Sequence, residues 1–166
     1  VLDLGTLPTP GVAWVTVDRG ADAGIVISAS HKPFEHNGIK IFNGQGFKLS
    51  DELEEKIEDI VLFRYNNVPR KTHGEIGRVS YIAPAASAEY ISHLVGTISS
   101  SLNGMRILVD CANGAASATA ARLFDRFESL STDVINADPN GTNINDNCGS
   151  THMDALAAMV KAGSYD

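Results

Sequence analysis

Ser28-Ala29-Ser30-His31 places two hydroxyls and an imidazole within four residues, and Lys40 follows shortly after. A serine hydroxyl can carry a transferred group. A lysine ammonium can neutralise a phosphate or move a proton. His31 can hydrogen-bond an anion or simply brace its own loop. Ser30 is not the nucleophile elbow of a hydrolase, which needs glycine on both sides of the serine. On residue types alone, the favoured reading of Ser30 is a strand-end turn with a surface hydroxyl, and that of Lys40 a solvated strand lysine. Asn37 is read as a turn residue and not as a ligand.

These residues need elements to hold them. Ala23-Gly24-Ile25-Val26-Ile27 is a continuous apolar run, the pattern of a strand buried on both faces in a parallel sheet. Ser30 then falls in the loop at that strand's carboxyl end, the edge where open α/β sheets place ligands. Asn37-Gly38 is a turn signal leading into a strand at 39–42, and Asn43-Gly44 is a second turn before a short strand at 46–49.

The remaining elements alternate in the same manner. Thr9 with Pro10 predicts the start of a helix over 11–17. Ser50 predicts a helix cap, followed by Leu53, Ile57, Ile60 and Val61 at helical spacing. The stretch 66–77 reads as a surface loop and 85–98 as a helix. Residues 99–104 are polar and read as a link. Met105 to Val109 predicts a second buried strand, ending in Asp110-Cys111-Ala112-Asn113-Gly114; 115–127 reads as a helix, 132–135 as a strand, 136–149 as a turn-rich loop and 153–161 as a last helix. Strand, loop, helix and strand in this order make a βαβ unit.

Composition narrows the function classes. The 166 residues are 43% hydrophobic and 20% charged, with 13 Lys plus Arg against 20 Asp plus Glu, a net charge of −7. That balance argues against nucleic-acid or anionic-membrane partners, which need clustered cations. No apolar run is long enough to span a bilayer. Cys111 and Cys148 are too few for a disulfide framework, which makes a reduced, intracellular setting the default expectation. Cys148 and His152 do not have zinc-ligand spacing. The opening Val1, in place of Met, and the close at Tyr165-Asp166 read as a piece of a longer protein.

Ser28-Ala29-Ser30-His31, then Pro33, then Asn37-Gly38-Ile39-Lys40, resembles the active-site loop of the α-D-phosphohexomutases. In that family the serine directly before the histidine carries a phosphoryl group, which implies Ser30 and not Ser28. The resemblance implies Lys40 as general acid or base and His31 and Lys32 as phosphate-binding residues. Lys32 stands where the family pattern has Asn, and this substitution bears on turnover rate more than on function class. Asp110-Cys111-Ala112-Asn113-Gly114-Ala115 resembles the start of the family's second domain. Asp138-Pro139-Asn140-Gly141-Thr142-Asn143-Ile144-Asn145 with Cys148-Gly149-Ser150-Thr151-His152 resembles its phosphoglucosamine branch. As a physical object, this stretch reads as a hydrogen-bonded loop that caps a helix at Ser150 or Thr151.

The resemblance carries a set of expectations. The fold class is α/β, two units of mixed or parallel sheet flanked by helices. Residues 1–98 would form the C-terminal part of domain 1, 99–104 a linker, and 105–166 the N-terminal part of domain 2. The implied activity is interconversion of glucosamine 6-phosphate and glucosamine 1-phosphate through a phosphoserine and a bisphosphorylated sugar. The implied cofactor is Mg²⁺, touched in this chain through the phosphate on Ser30, with its other ligands on an Asp-Gly-Asp loop outside the chain. The implied partner is a phosphosugar, with a homodimer of the full-length protein left open and a cytoplasmic location. The chain alone would be inactive. A phosphomannomutase or phosphoglucomutase is the alternative within the family, and a non-catalytic α/β binding module the alternative outside it.

Overall fold

The computed structural model describes residues 1–64 and 68–166. Among these residues the order is β1 (Leu2–Asp3), α1 (Thr9–Asp18), β2 (Ala23–Ser28), β3 (Gly38–Asn43), α2 (Asp51–Phe63), β4 (Ser80–Tyr81), α3 (Ala83–Thr97), β5 (Arg106–Asp110), α4 (Ala120–Phe124), β6 (Ser131–Ile135) and α5 (Asp154–Gly163). The strands pair in twos: β1 with β4 in parallel, β2 with β3 antiparallel, and β5 with β6 in parallel. This is the expected α/β class. The β1–β4 pair was not read from the sequence, because two-residue strands carry no periodicity.

The core forms where α1 lies between β2 and α3. Leu7, Val12, Val15, Val26, Ala86 and Tyr90 are buried together, with Trp14, Phe42 and Leu94 packed around them. Gly24 permits the close approach of helix to strand. A Cβ there would stand 2.1 Å from Thr16 Oγ1, and the Thr16 hydroxyl instead turns inward to donate to Val12 O at 2.8 Å. Any side chain at position 24 would drive α1 off the strand.

The expectation that residues 23–27 form a parallel strand buried on both faces is corrected. Gly24 and Val26 are buried, whereas Ile25 and Ile27 are 63% and 71% exposed. Residues 29–37 connect β2 directly to β3, and a link that short closes an antiparallel pair; a parallel neighbour needs a crossover of about a dozen residues or more. One face packs on α1, and the other carries Ile25, Ile27, Ile39 and Ile41 through the pairs Ile25↔Ile41 and Ile27↔Ile39. The expected strand at 46–49 reduces to one antiparallel bridge, Phe42↔Lys48. The Asn43-Gly44 turn is present, with Asn43 Oδ1 accepting the amides of Gln45 and Phe47.

Helix starts differ by a few residues from the sequence reading. Pro8, not Thr9, precedes the first turn of α1, and Pro10 sits within that turn. Ser50 does flank α2, but through its carbonyl, which accepts the amides of Leu53 and Glu54, and not through its hydroxyl. Met153 precedes α5, so neither Ser150 nor Thr151 caps it. The helix expected over 115–127 splits into a 3-10 turn at Ala115–Ala118 and α4, because Thr119 departs from helical dihedrals at φ −127. Asn66 and Asn67 of the expected surface loop lie outside the described residues; 68–77 is exposed and irregular apart from a 3-10 turn at His73–Glu75.

The second half realises the βαβ unit. β5 and β6 run parallel in register from Arg106↔Ser131 to Asp110↔Ile135. Arg122 on α4 donates to Ser87 Oγ on α3 at 2.9 Å.

Candidate active site

The serine loop begins where β2 ends at Ser28 and runs through a turn over Ser30 and His31. Ala29 is buried and anchors it, while Ser30, His31 and Lys32 are exposed. The hydroxyl therefore stands at the carboxyl end of the strand, in solvent. Ser30 has φ +58, in the left-handed region that non-glycine residues seldom adopt. Such a conformation costs on the order of 1–3 kcal/mol and persists only where the surroundings hold it.

Three sets of hydrogen bonds hold it. The Ser30 amide donates to Ser28 Oγ at 3.0 Å. The Lys32 amide donates to Ala29 O at 3.0 Å, closing the turn. From far along the chain, Asn145 Nδ2 donates to Ser30 O at 2.9 Å and to Lys32 O at 2.8 Å. Ser28 Oγ thus braces the Ser30 turn. Lys40 sits on β3 opposite Val26, and Gly38 opposite Ser28, so Lys40 and Ser28 belong to the same face of the strand pair. Lys40 is exposed.

The second half presents a loop cluster built on Asp110, the last residue of β5. Its Oδ1 accepts the Ala112 amide at 2.8 Å and Asn136 Nδ2 at 3.0 Å, and its Oδ2 accepts the Gly149 amide at 2.8 Å. Burial pushes the Asp110 carboxyl up, but the donors from Gly149, Asn136 and Ala112 together outweigh it and hold the acid below its ordinary range. Ala112 and Asn113 both have positive φ, which turns the chain back after the strand. Asn113 Oδ1 accepts the Asp138 amide at 3.2 Å, and Asn143 Nδ2 donates to Asp138 O at 3.0 Å. A cleft of about 340 Å³ lies between the halves, with Ser28, Ala29 and Asn37 on one side and Asn113, Asn143 and Ile144 on the other.

Residues 1–66 match the family described as phosphoglucomutase/phosphomannomutase, alpha/beta/alpha domain I. The phosphoglucosamine mutase of Moorella thermoacetica is 48% identical over 162 residues, 98% of this chain, and that of Clostridium perfringens strain SM101 is 50% identical over 159 residues, 96% of this chain. The chain belongs to the α-D-phosphohexomutase family, in its phosphoglucosamine mutase branch. It spans 36% and 35% of the length of those two curated relatives, about a third.

Solved phosphohexomutases share the fold. Aspergillus fumigatus N-acetylphosphoglucosamine mutase in complex with GlcNAc-6P and magnesium aligns at TM-score 0.50 and 16% identity, over 93% of this chain and 45% of that one. A second structure of the Aspergillus enzyme aligns at TM-score 0.52 and 15% identity, over 90% of this chain and 41% of that one.

A metal needs several converging donors, and magnesium prefers carboxylate oxygens. Among the described residues no three His, Cys, Asp or Glu side chains converge to hold an ion. The described part of this phosphohexomutase chain therefore does not fit a magnesium site by itself. Cys111 and Cys148 are both buried, and burial together with the Asp110 charge pushes both thiols up, which keeps them protonated and poor as ligands or nucleophiles. No helix among the described residues is long and apolar enough to cross a membrane.

Sequence reasoning singled out Ser30, His31, Lys32 and Lys40 and did not foresee the hydrogen bonds that hold the Ser30–Lys32 turn. Ser28, Asp110 and Asn145 were visible only as members of motifs. Four of the cluster's residues at positive φ are Asn: Asn113, Asn136, Asn145 and Asn147. An excess of Asn and Gly in 136–149 was the one signal that could have marked that loop as structured.

Proposed function

We propose that the full-length polypeptide carrying this chain interconverts glucosamine 6-phosphate and glucosamine 1-phosphate, with Ser30 as its phosphoryl carrier. The observation behind this reading is the Ser30 turn. An exposed hydroxyl is fixed at a strand end in a strained conformation, braced by Ser28 and Asn145. Strain of this kind, at an exposed polar residue, accords with a functional role.

The chemistry balances over two transfers. A free hydroxyl of the sugar monophosphate attacks the phosphorus on Ser30. The new O–P bond forms as the Oγ–P bond breaks, and the hydroxyl proton leaves to a base while Ser30 Oγ regains one. The bisphosphorylated sugar then returns its other phosphoryl group to Ser30 Oγ by the reverse of the same step. Lys40 is proposed as the general acid or base, and His31 and Lys32 as groups that bind phosphate. Positioning and charge neutralisation carry most of such catalysis.

We also propose that 99–104 links the C-terminal part of domain 1 to the start of domain 2. Magnesium, present in the Aspergillus complex, is proposed as the cation beside the Ser30 phosphate. Its carboxylate ligands would come from parts of the polypeptide beyond these 166 residues, in keeping with the third of the relatives that the chain spans.

The test is an assay of the purified full-length polypeptide for glucosamine 1-phosphate, with phosphopeptide mass spectrometry. Turnover, phosphate on Ser30, and loss of both in Ser30→Ala are expected. Phosphate on Ser28 alone, or an active Ser30→Ala variant, would sink the assignment.

A further inference from the structure

We infer that Asn145 is a positioning residue for the phosphoryl carrier: its side-chain amide sets the Ser30 turn from the opposite half of the chain. The inference rests on the reading of Ser30 as carrier. An Asn side chain has two N–H donors. Asn145 directs them to Ser30 O at 2.9 Å and Lys32 O at 2.8 Å, the carbonyls on either side of His31. The turn is thereby clasped across 115 and 113 residues of sequence.

Asn145 is itself held. Its amide donates to Ala112 O at 2.9 Å, and the Ala112 amide donates to Asp110 Oδ1 at 2.8 Å. Asn145 has φ +59, a conformation that Asn tolerates better than most residues. Beside it, Gly149 leaves room: a Cβ there would lie 3.2 Å from Asn145 Oδ1. A continuous series of hydrogen bonds thus runs from the end of β5, through Ala112 and Asn145, to the backbone of Ser30. The carbonyls, and not the hydroxyl, are what Asn145 grips. The side chain fixes the direction of the Oγ without touching a reacting atom.

The experiment compares four forms of the full-length polypeptide: wild type, Ser30→Ala, Asn145→Gly and Asn145→Asp. Glycine removes both donors and remains at ease at positive φ. Aspartate keeps the shape and turns two donors into acceptors facing two carbonyl oxygens. We measure kcat and KM for glucosamine 6-phosphate, the single-turnover rate of phosphate loss from Ser30, and the melting midpoint. Expected for both Asn145 variants is a kcat lower by about ten- to a hundredfold, the scale of a misplaced reacting group, with KM within about twofold and slowed phosphate loss. Aspartate should be at least as slow as glycine.

An active wild type with unchanged rates in both variants overturns this inference alone, as does a raised KM at constant kcat. If Asn145→Gly does not fold, Asn145→Asp decides. Activity that falls only in step with the folded fraction makes Asn145 a folding residue and also overturns it. A wild type with no phosphate on Ser30 and no turnover overturns the carrier reading, and this inference with it.

Discussion

Asp110 Oδ2 accepts the backbone N–H of Gly149 at 2.8 Å, joining the end of β5 to a loop 39 residues later. One carboxylate thereby gathers three donors that no regular element would pair.

Replacing Asp110 with Ala leaves those three donors without their acceptor. A stability loss of about 2–3 kcal/mol is expected, read as a lower urea midpoint at unchanged slope. The pH dependence has a definite sign. The folded acid lies below its ordinary range, so its contribution is fully present above the unfolded value of about 4. It is lost as the pH falls below that value and through the folded one. The wild-type advantage over Asp110→Ala should shrink below about pH 4 and stay constant from pH 5 to 8. An advantage constant down to pH 2 would contradict this account.

Gly149→Ala should be costly for a different reason. Gly149 has φ +77, and a Cβ there would meet Ala112 Cβ at 2.7 Å and Asn145 Oδ1 at 3.2 Å. Left-handed strain and this clash together are expected to remove about 2–4 kcal/mol. A thermal midpoint equal to that of the wild type would show that the loop relaxes freely.

Ser28→Ala removes only the acceptor of the Ser30 amide. One such bond is worth about 1 kcal/mol, so kcat should fall roughly fivefold while Ser30 still accepts phosphate. Complete inactivity would make Ser28 a carrier in its own right.

Lys40→Ala should lower kcat by about 10²–10⁴-fold, the range typical of a lost general acid or base. Its melting midpoint should hardly move, since Lys40 is exposed. Wild-type turnover in this variant would reduce Lys40 to a solvated strand residue.

The 166 residues alone are expected to give no glucosamine 1-phosphate, even with magnesium, because the described residues assemble no cation site and the chain spans about a third of its relatives. Turnover near that of the full-length polypeptide would show that this stretch builds the cation site unaided.

The sequence disclosed elements with local causes. The β5–α4–β6 unit and α2 followed from apolar spacing, and Ser30 fell where its motif placed it. What stayed hidden depended on distant partners. The apolar run at 23–27 could not reveal that α1 covers only one face of β2, since Ile25 and Val26 are alike in type and opposite in burial. Nor could Asn145 announce its grip on Ser30, because a bond across 115 residues leaves no periodic trace. Pro8, Thr119 and Met153 set helix boundaries by backbone dihedrals, where side-chain type is a weak guide.

The pairing Val26↔Lys40 and Ile27↔Ile39 has an evolutionary corollary. Successive strand residues point to opposite faces, so the side on which Lys40 stands is a matter of parity. Deleting Ile39 would move the lysine to the isoleucine side of the ribbon while leaving every reactive group in the gene. If Lys40 acts as proposed, a one-residue insertion or deletion within 38–42 would remove it from its face, and the 29–37 connection is constrained as well where Asn145 clasps Ser30 and Lys32. On the proposed roles, a sequence could keep Ser30, His31 and Lys40 and still lose the chemistry through a single missing residue between them.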